Sequence, residues 1–286
     1  MKTILVLTDH SENSAHAAKQ AVNIAGKLCT NILLAHAQGV ALTTAVMPVG
    51  DMNSFLEKEC DQLLENEAEC MREIARALPA ASCLPLVDFT QITGDTETLI
   101  KVLAAEHDIE MIVLGESLDG GFDHLFFGSE TQSVVKAADK PVLLMPRQAD
   151  LNDIRKVVFA TNFDEEDFAA LHYLTHLGQY YHFELVITHV VTSQLESILV
   201  APAEERFRKE IERLHYPDIT YHQIGGIDIP ARLNNFCKAQ GAGLLAIGHR
   251  QRGFPGRWFH KSMAKAAIRQ QHLPLLILPT SLEKVN

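Results

Sequence analysis

The chain has 286 residues, 47% of them hydrophobic and 21% charged, proportions of a folded globular protein that exclude a disordered chain. Its length suits two domains of ordinary size. A net charge of −11 excludes a general nucleic-acid binder, and no apolar run reaches the ~18 residues of a membrane-spanning helix.

In chain order, Ile4–Leu7 is a short apolar run that reads as a strand, followed by polar turn chemistry and a helical pattern over Ala15–Leu28. Ile32–Ala35 reads as a second strand, and residues 38–54 as a loop or lid after it. Leu56–Leu78 is a long Glu-rich helix with Leu63, Leu64, Ile74 and Leu78 at helical spacing, so its charges form a solvated face. Leu86–Ile92 alternates as a third strand. Leu99–Ala105 is helical, Met111–Leu114 a buried strand, Glu130–Ala138 a helix and Val142–Met145 a fifth strand.

The pattern then repeats. Ile4-Leu5-Val6-Leu7-Thr8-Asp9 returns as Val157-Val158-Phe159-Ala160-Thr161-Asn162, an offset of 153 (161 − 8) that also carries Ile32–His36 to Leu185–His189. Further on the offset is 133: Ile112–Gly115 returns as Leu245–Gly248, and Pro141–Pro146 as Pro274–Pro279. The second copy is therefore 20 residues shorter (153 − 133), with the loss between His189 and Gly248 and assigned to the region of the first copy's lid. Within it Ala201–Leu214 reads as a helix with Phe207, Ile211 and Leu214 on one stripe. A repeat this long means two duplicated domains, 1–149 and 150–286, joined near the polar stretch Arg147–Ile154. Strands alternating with helices imply βαβ units with right-handed crossovers. Near-continuous apolar strands imply sheets covered on both faces. The expected architecture is two five-stranded, mainly parallel α/β domains. Their surfaces differ: residues 1–150 carry 10 Lys+Arg against 22 Asp+Glu (−12), and residues 151–286 carry 15 against 14 (+1).

In an open parallel sheet, ligands bind beyond the carboxyl ends of the strands. After the first strand stands Thr8-Asp9-His10-Ser11-Glu12-Asn13-Ser14, and after the fourth Gly115-Glu116-Ser117-Leu118-Asp119-Gly120-Gly121. Phe127-Gly128-Ser129-Glu130-Thr131 leads into the last helix. Gly128 permits close backbone approach, and Ser129 sits where a helix N-terminus offers free N–H groups to a phosphate. The same residues also read as a plain glycine turn and a serine N-cap.

Thr-Asp after strand one, Gly after strand four, and Gly-Ser thirteen residues later resemble the universal stress protein family, over nearly the whole chain and twice. The resemblance implies Rossmann-like domains of strand order 3-2-1-4-5, paired about a pseudo-two-fold through Val142–Met145 and Leu275–Leu278, which hides two sheet edges. That intrachain pair leaves open whether two chains form a homodimer. It also implies an adenine-nucleotide site for ATP, ADP or AMP, with Mg²⁺ where phosphates need bridging. Asp9 and the backbone near Ala37 would meet adenine, Thr8 would line the cleft, and Gly115, Gly128, Ser129 and the amide of Glu130 would hold ribose and phosphates. The family's spacing is Gly, two residues, Gly, nine residues, then Gly-Ser or Gly-Thr. Here Leu118 stands at the middle glycine, and Glu116, Asp119, Asp123 and Glu130 bring negative charge, which repels a triphosphate. The second copy departs further, with Thr161, Asn162, Gly248, Gln251, Lys261 and Ser262 at the matching positions, beside His249, Arg250, Arg252 and Arg257. It reads as a degenerate second site, or as a cationic patch for another anion.

Other chemistry is weak. No G-x-x-x-x-G-K-[ST] occurs, Gly115–Gly120 misses the G-x-S-x-G spacing of a nucleophile elbow, and no S-G-G-x-D-S loop is present. Among fourteen histidines, His172 and His176 share a helix face without the Glu of H-E-x-x-H and read, with His182, as surface or packing residues. His36 and His189 end the second strand of each copy as cleft-wall residues, and no metal site is expected. Trp258, beside Phe254 and Phe259, fits burial or an interface as well as stacking. Five cysteines without ligand spacing (Cys29, Cys60, Cys70, Cys83, Cys237) read as free thiols. Met1–Asp9 lacks the long apolar region of a secretory signal, which points to a cytoplasmic protein. The alternatives to nucleotide binding are an interaction module, whose acidic half docks a protein client the sequence does not name, and a slow ATPase.

Overall fold

The computed structural model describes residues 1–39, 49–80, 82–116, 129–249 and 273–282. The first half runs β1 (Thr3–Leu7), α1 (Glu12–Leu28), β2 (Asn31–Gln38), α2 (Val49–Arg76), β3 (Val87–Thr93), α3 (Thr96–Glu106), β4 (Ile109–Gly115), α4 (Ser129–Ala137) and β5 (Val142–Met145). The second runs β6 (Lys156–Ala160), α5 (Glu166–Tyr181), β7 (Glu184–Val191), α6 (Gln194–Arg213), β8 (Ile219–Gly225), α7 (Ile229–Gln240), β9 (Leu244–His249) and β10 (Leu275–Pro279).

The ten strands of the described residues form one sheet, ordered β3-β2-β1-β4-β5-β10-β9-β6-β7-β8. Each half therefore has the order 3-2-1-4-5, and every neighbouring pair is parallel except β5 with β10, where Leu143 faces Leu276. The expected pairing of the two last strands is present, and it joins the halves into a continuous sheet.

Alternate residues of each strand enter two cores, as pleating requires. Ile4, Val6, Ile32, Leu34 and Val113 lie under α1 and α2, whereas Leu5, Leu7, Leu33, Ala35 and Leu114 lie under α3 and α4. The second half repeats this, with Phe159, Ile187 and Phe207 in one core and Val158, Val186 and Leu233 in the other.

Several elements differ from the sequence expectation. α1 begins at Glu12 rather than Ala15, because Ser11 caps it by accepting from Ser14 N–H. Residues 49–54, expected in a lid, open α2; the remainder of that expectation, 40–48, lies outside the described residues. α6 runs through Pro202 and begins at Gln194 behind the cap Ser193. α6 follows β7 after two residues (192 and 193), whereas ten (39–48) separate β2 from α2, and α6 has 20 residues against 28 in α2. Much of the second copy's shortening lies there, as expected.

The join between the halves is not merely polar. Ala149, Leu151 and Ile154 are buried in the core under α1. Leu151 N–H donates to Gln20 Oε1 at 3.1 Å, and His16 Nε2 to the Ala149 carbonyl at 2.7 Å.

The free-thiol expectation is corrected for two of the five cysteines: Cys29 and Cys83 form a disulfide. Cys29 caps α1 in the left-handed region (φ 53°), and Cys83 N–H donates to the Gly26 carbonyl at 2.9 Å. The end of α1 and the segment before β3 meet there. Cys60, Cys70 and Cys237 are free. Among the described residues no helix is long and apolar enough to cross a membrane.

Candidate functional site

The turn after β1 is built by Thr8. Its Oγ1 accepts from His10 N–H at 3.0 Å and holds His10 at φ 62°, a left-handed conformation that costs about 1–2 kcal/mol in a non-glycine residue. Asp9 Oδ1 accepts from Ser11 N–H at 3.0 Å. Burial pushes the Asp9 carboxyl up, but hydrogen bonds from Ser11 and Ser14 outweigh it and hold the group below its ordinary value. Asp9 is thus an exposed, ionised group at the carboxyl edge of the sheet.

Beside it lies a cleft of about 30 Å³ lined by Leu7, Thr8, Asp9, Ser14, Gly115 and Thr131, among others. Its walls are the ends of β1 and β4 and the first turn of α4, whose N–H groups lack intrahelical partners. A Cβ at Gly115 would sit 2.6 Å from the Asn13 carbonyl and 2.7 Å from Ser14 N. The absent side chain lets β4 end against the backbone of α1, a packing reason that stands apart from any ligand. Asn13 Nδ2 donates to the Glu116 carbonyl at 2.7 Å and fixes the strand's exit.

The structure brings together Thr8, Asp9, Gly115 and the start of α4, which contains Ser129 and Glu130. Ala37 lies one strand away on the same sheet face, paired with Ile92. Gly128, Leu118, Asp119 and Asp123 lie outside the described residues, as do Lys261, Ser262, Trp258 and the arginines of the basic loop.

The second copy of the turn keeps the frame and changes the contents. Thr161 Oγ1 accepts from Phe163 N–H at 2.8 Å, with Phe163 at φ 63°. The position matching Ser14 is Asp167, buried, whose Oδ2 accepts from Thr161 Oγ1 at 2.6 Å and from Asn162 N–H at 3.0 Å. A Cβ at Gly248 would meet Asp167 Oδ1 at 2.6 Å. Burial pushes this carboxyl up to about 6, against the hydrogen bonds from Thr161 and Asn162. A carboxylate of the protein itself fills the space between Thr161 and Gly248.

On the other face of the sheet, under α2, Thr8 has a second set of neighbours. Its hydroxyl donates to Glu67 Oε2 at 2.9 Å, its carbonyl accepts from His36 Nδ1 at 2.8 Å, and His10 Nδ1 lies 2.8 Å from Glu67 Oε1. Cys60 Sγ is 3.7 Å from His10 Nε2. Sequence spacing gave no sign of His10, Cys60 and Glu67, since α2 supplies two of them and the β1 turn the third. His172 instead pairs with Glu210 at 2.9 Å, and His176 packs edge-on against Tyr180; among the described residues neither belongs to a group of metal-ligating side chains.

A doubly wound parallel sheet, written twice and joined through its last strands, with polar turns at the carboxyl ends of strands one and four, defines a tandem Rossmann-like protein. The model of the universal stress protein family matches residues 1–146 and again 153–279, and the chain belongs to that family. It is similar to a universal stress protein encoded beside a QAH/OAS sulfhydrylase in Thermus aquaticus, with 32% identity over 146 residues, 50% of this chain and 98% of that one. Among solved structures it resembles a universal stress protein from Archaeoglobus fulgidus DSM 4304 (TM-score 0.75, 17% identity, 97% of this chain and 98% of the other). It also resembles the functionally unknown PA1789 of Pseudomonas aeruginosa PAO1 (TM-score 0.63, 15% identity, 98% and 92%). These structural likenesses extend to the fold.

Proposed function

We propose that this universal stress protein binds an adenine nucleotide in the cleft of its first domain, residues 1–149, and that the second domain, residues 150–286, carries a degenerate site. One contrast carries the reading: Ser14 presents a short hydroxyl where Asp167 presents a buried carboxylate, so the space between threonine and glycine that a carboxylate fills in the second domain is left open in the first, with Asp9 and Glu116 at its rim. Thr8 and Asp9 would meet the base, together with the backbone near Ala37. Gly115, Gly128, Ser129 and the amide of Glu130 would hold ribose and phosphates, with Mg²⁺ bridging where more than one phosphate is present. In the second domain Thr161, Asn162, Gly248, Lys261 and Ser262 are the counterparts. The reading is of binding rather than turnover, in a cytoplasmic protein.

The 30 Å³ volume of the cleft favours a second reading, an interaction module whose acidic first half docks a partner without nucleotide. One experiment separates the two: the purified protein is denatured and released small molecules are identified by mass spectrometry, beside a Gly128→Lys variant. A near-stoichiometric adenine nucleotide from the wild type and none from the variant supports the site. No nucleotide, together with no thermal shift in ATP·Mg²⁺, sinks it; a ligand at 100 times its Kd would add about 2.7 kcal/mol of stability. Phosphate release above the Gly128→Lys background would add slow hydrolysis to the assignment.

A further inference from the structure

His10, His36 and Cys60 come from three separate elements: the β1 turn, the end of β2 and α2. Their ligand atoms lie within 4.8 Å of one another. Hydrogen bonding already sets the two imidazoles for coordination. The Thr8 carbonyl can only accept, so His36 carries its proton on Nδ1; the Glu67 carboxylate likewise accepts from His10 Nδ1. In the neutral tautomers that these bonds select, Nε2 of each ring carries the free lone pair, and His10 Nε2 is 3.7 Å from the buried Cys60 Sγ. Tetrahedral zinc, with Zn–N of about 2.0–2.1 Å and Zn–S of about 2.3 Å, spaces such nitrogen and sulfur ligands roughly 3.3–3.6 Å apart. Carboxylate and backbone-carbonyl partners on the far ring nitrogen are the usual second layer of a histidine metal site.

We propose that His10, His36 and Cys60 form a three-ligand site for a zinc-like divalent metal, oriented by Glu67 and the Thr8 carbonyl. The donor set, two imidazoles and a thiolate, suits Zn²⁺ rather than Mg²⁺ or Ca²⁺. Glu67 Oε2 is occupied by the Thr8 hydroxyl, so the fourth position falls to water entering past the half-buried His10. On binding, the Cys60 S–H bond is replaced by a sulfur–metal bond and the proton leaves to solvent.

The second half supplies the counter-example. His189 Nδ1 donates to the Thr161 carbonyl at 2.8 Å, as His36 does to Thr8. Phe163 sits over His189 with ring centroids 4.6 Å apart, as His10 sits over His36 at 4.5 Å. Phe207 of α6 packs against Phe163 at 5.6 Å. One copy of the pocket thus surrounds a single imidazole with aromatic rings, and the other converges two nitrogens and a sulfur. The site lies on the α2 face of the sheet and adjoins the cleft beside α4 through Thr8, which lines one and orients the other. Its three metal ligands are not among the cleft residues, and the assignment does not rest on nucleotide binding.

The test uses the full chain, stripped with a chelator, held in a non-thiol reductant and titrated with Co²⁺ as a spectroscopic stand-in. The expected result is one equivalent bound, with a thiolate-to-cobalt charge-transfer band that Zn²⁺ abolishes by displacement. Cys60→Ser is expected to lose the band. His10→Phe, the residue the second half uses there, is expected to lose tight binding while staying folded by circular dichroism. Glu67→Gln should weaken affinity roughly 10–100-fold, and a Cys70→Ser/Cys237→Ser variant should keep the band. No band in the wild type, or a band that survives Cys60→Ser, overturns the proposal.

Discussion

At the end of the first strand of each half, the residue two beyond the buried threonine is left-handed, with φ 62° at His10 and 63° at Phe163. The histidine that closes the second strand donates to the threonine carbonyl at 2.8 Å in both. The backbone frame and its hydrogen bonds are therefore common property of the duplicated fold. The contents differ on both sides of that frame. Ser14 gives way to a buried Asp167 on one side, and a His–Glu–Cys cluster gives way to Phe163 and Phe207 on the other. What both copies retain is what the fold requires; what only one has is where a specific role belongs.

The largest way to break this comparison is the disulfide. The position matching Cys29 in the second half is His182, which adopts the same left-handed cap (φ 55°) without a covalent partner. Cys29→Ser with Cys83→Ser is expected to cost the first half about 2–4 kcal/mol, since the bond closes a long loop in the unfolded chain. Urea unfolding with and without reductant measures it, and reduction of the wild type should reproduce the loss.

Ser14→Asp would import the second half's carboxylate into the first cleft. Nucleotide affinity should fall on the order of a hundredfold, because a phosphate would meet a fixed like charge; calorimetric titration reads the change, and unchanged affinity would separate the cleft from the ligand.

Asp167→Asn tests the same contrast from the other side. The folded carboxyl titrates near about 6 against an ordinary 3.8, so between those values the folded state holds more protons than the unfolded one. Stability therefore falls as pH rises through that window and levels off above it. At pH 7 the variant should be about 1–3 kcal/mol more stable than wild type, and the difference between the two profiles should shrink as pH falls through the window.

The smallest expected difference separates the two glycines. Gly115→Ala drives a Cβ into the backbone of Asn13 and Ser14 and should cost about 1–3 kcal/mol. Gly248→Ala meets one side-chain oxygen of Asp167 rather than backbone, the oxygen that does not accept from Thr161 and Asn162, and should cost less. Equal losses in thermal unfolding would contradict the distinction.

The strands themselves were legible because buried parallel strands are short continuous apolar runs, and because the repeat gave two readings of each. Their order and the joining of the last strands came only with the resemblance to the universal stress protein family, since an apolar run does not record its neighbour. The offset that matches Thr8 to Thr161 also matches Ser14 to Asp167, so the filled second cleft was within reach of the sequence; its burial was not. The Cys29–Cys83 bond was not legible, since its partners are 54 residues apart and meet only when α1 packs beside the segment before β3. His10, His36 and Cys60 escaped for the same reason: no local spacing records three elements converging on one point. Gln194–Val200 was missed as helix because Pro202 and the exposed Leu195, Ile198 and Leu199 break the apolar stripe that periodicity relies on.

The segment that joins the halves has a mechanical consequence. With Leu151 hydrogen-bonded to Gln20, and Ala149 and Ile154 sunk into the core, the connection is a structural member rather than a tether. Separating the halves would expose this apolar seam and unzip β5 from β10 at once. Heating should therefore melt the chain in a single cooperative transition, and a cut in the joining segment should leave the two pieces migrating as one particle.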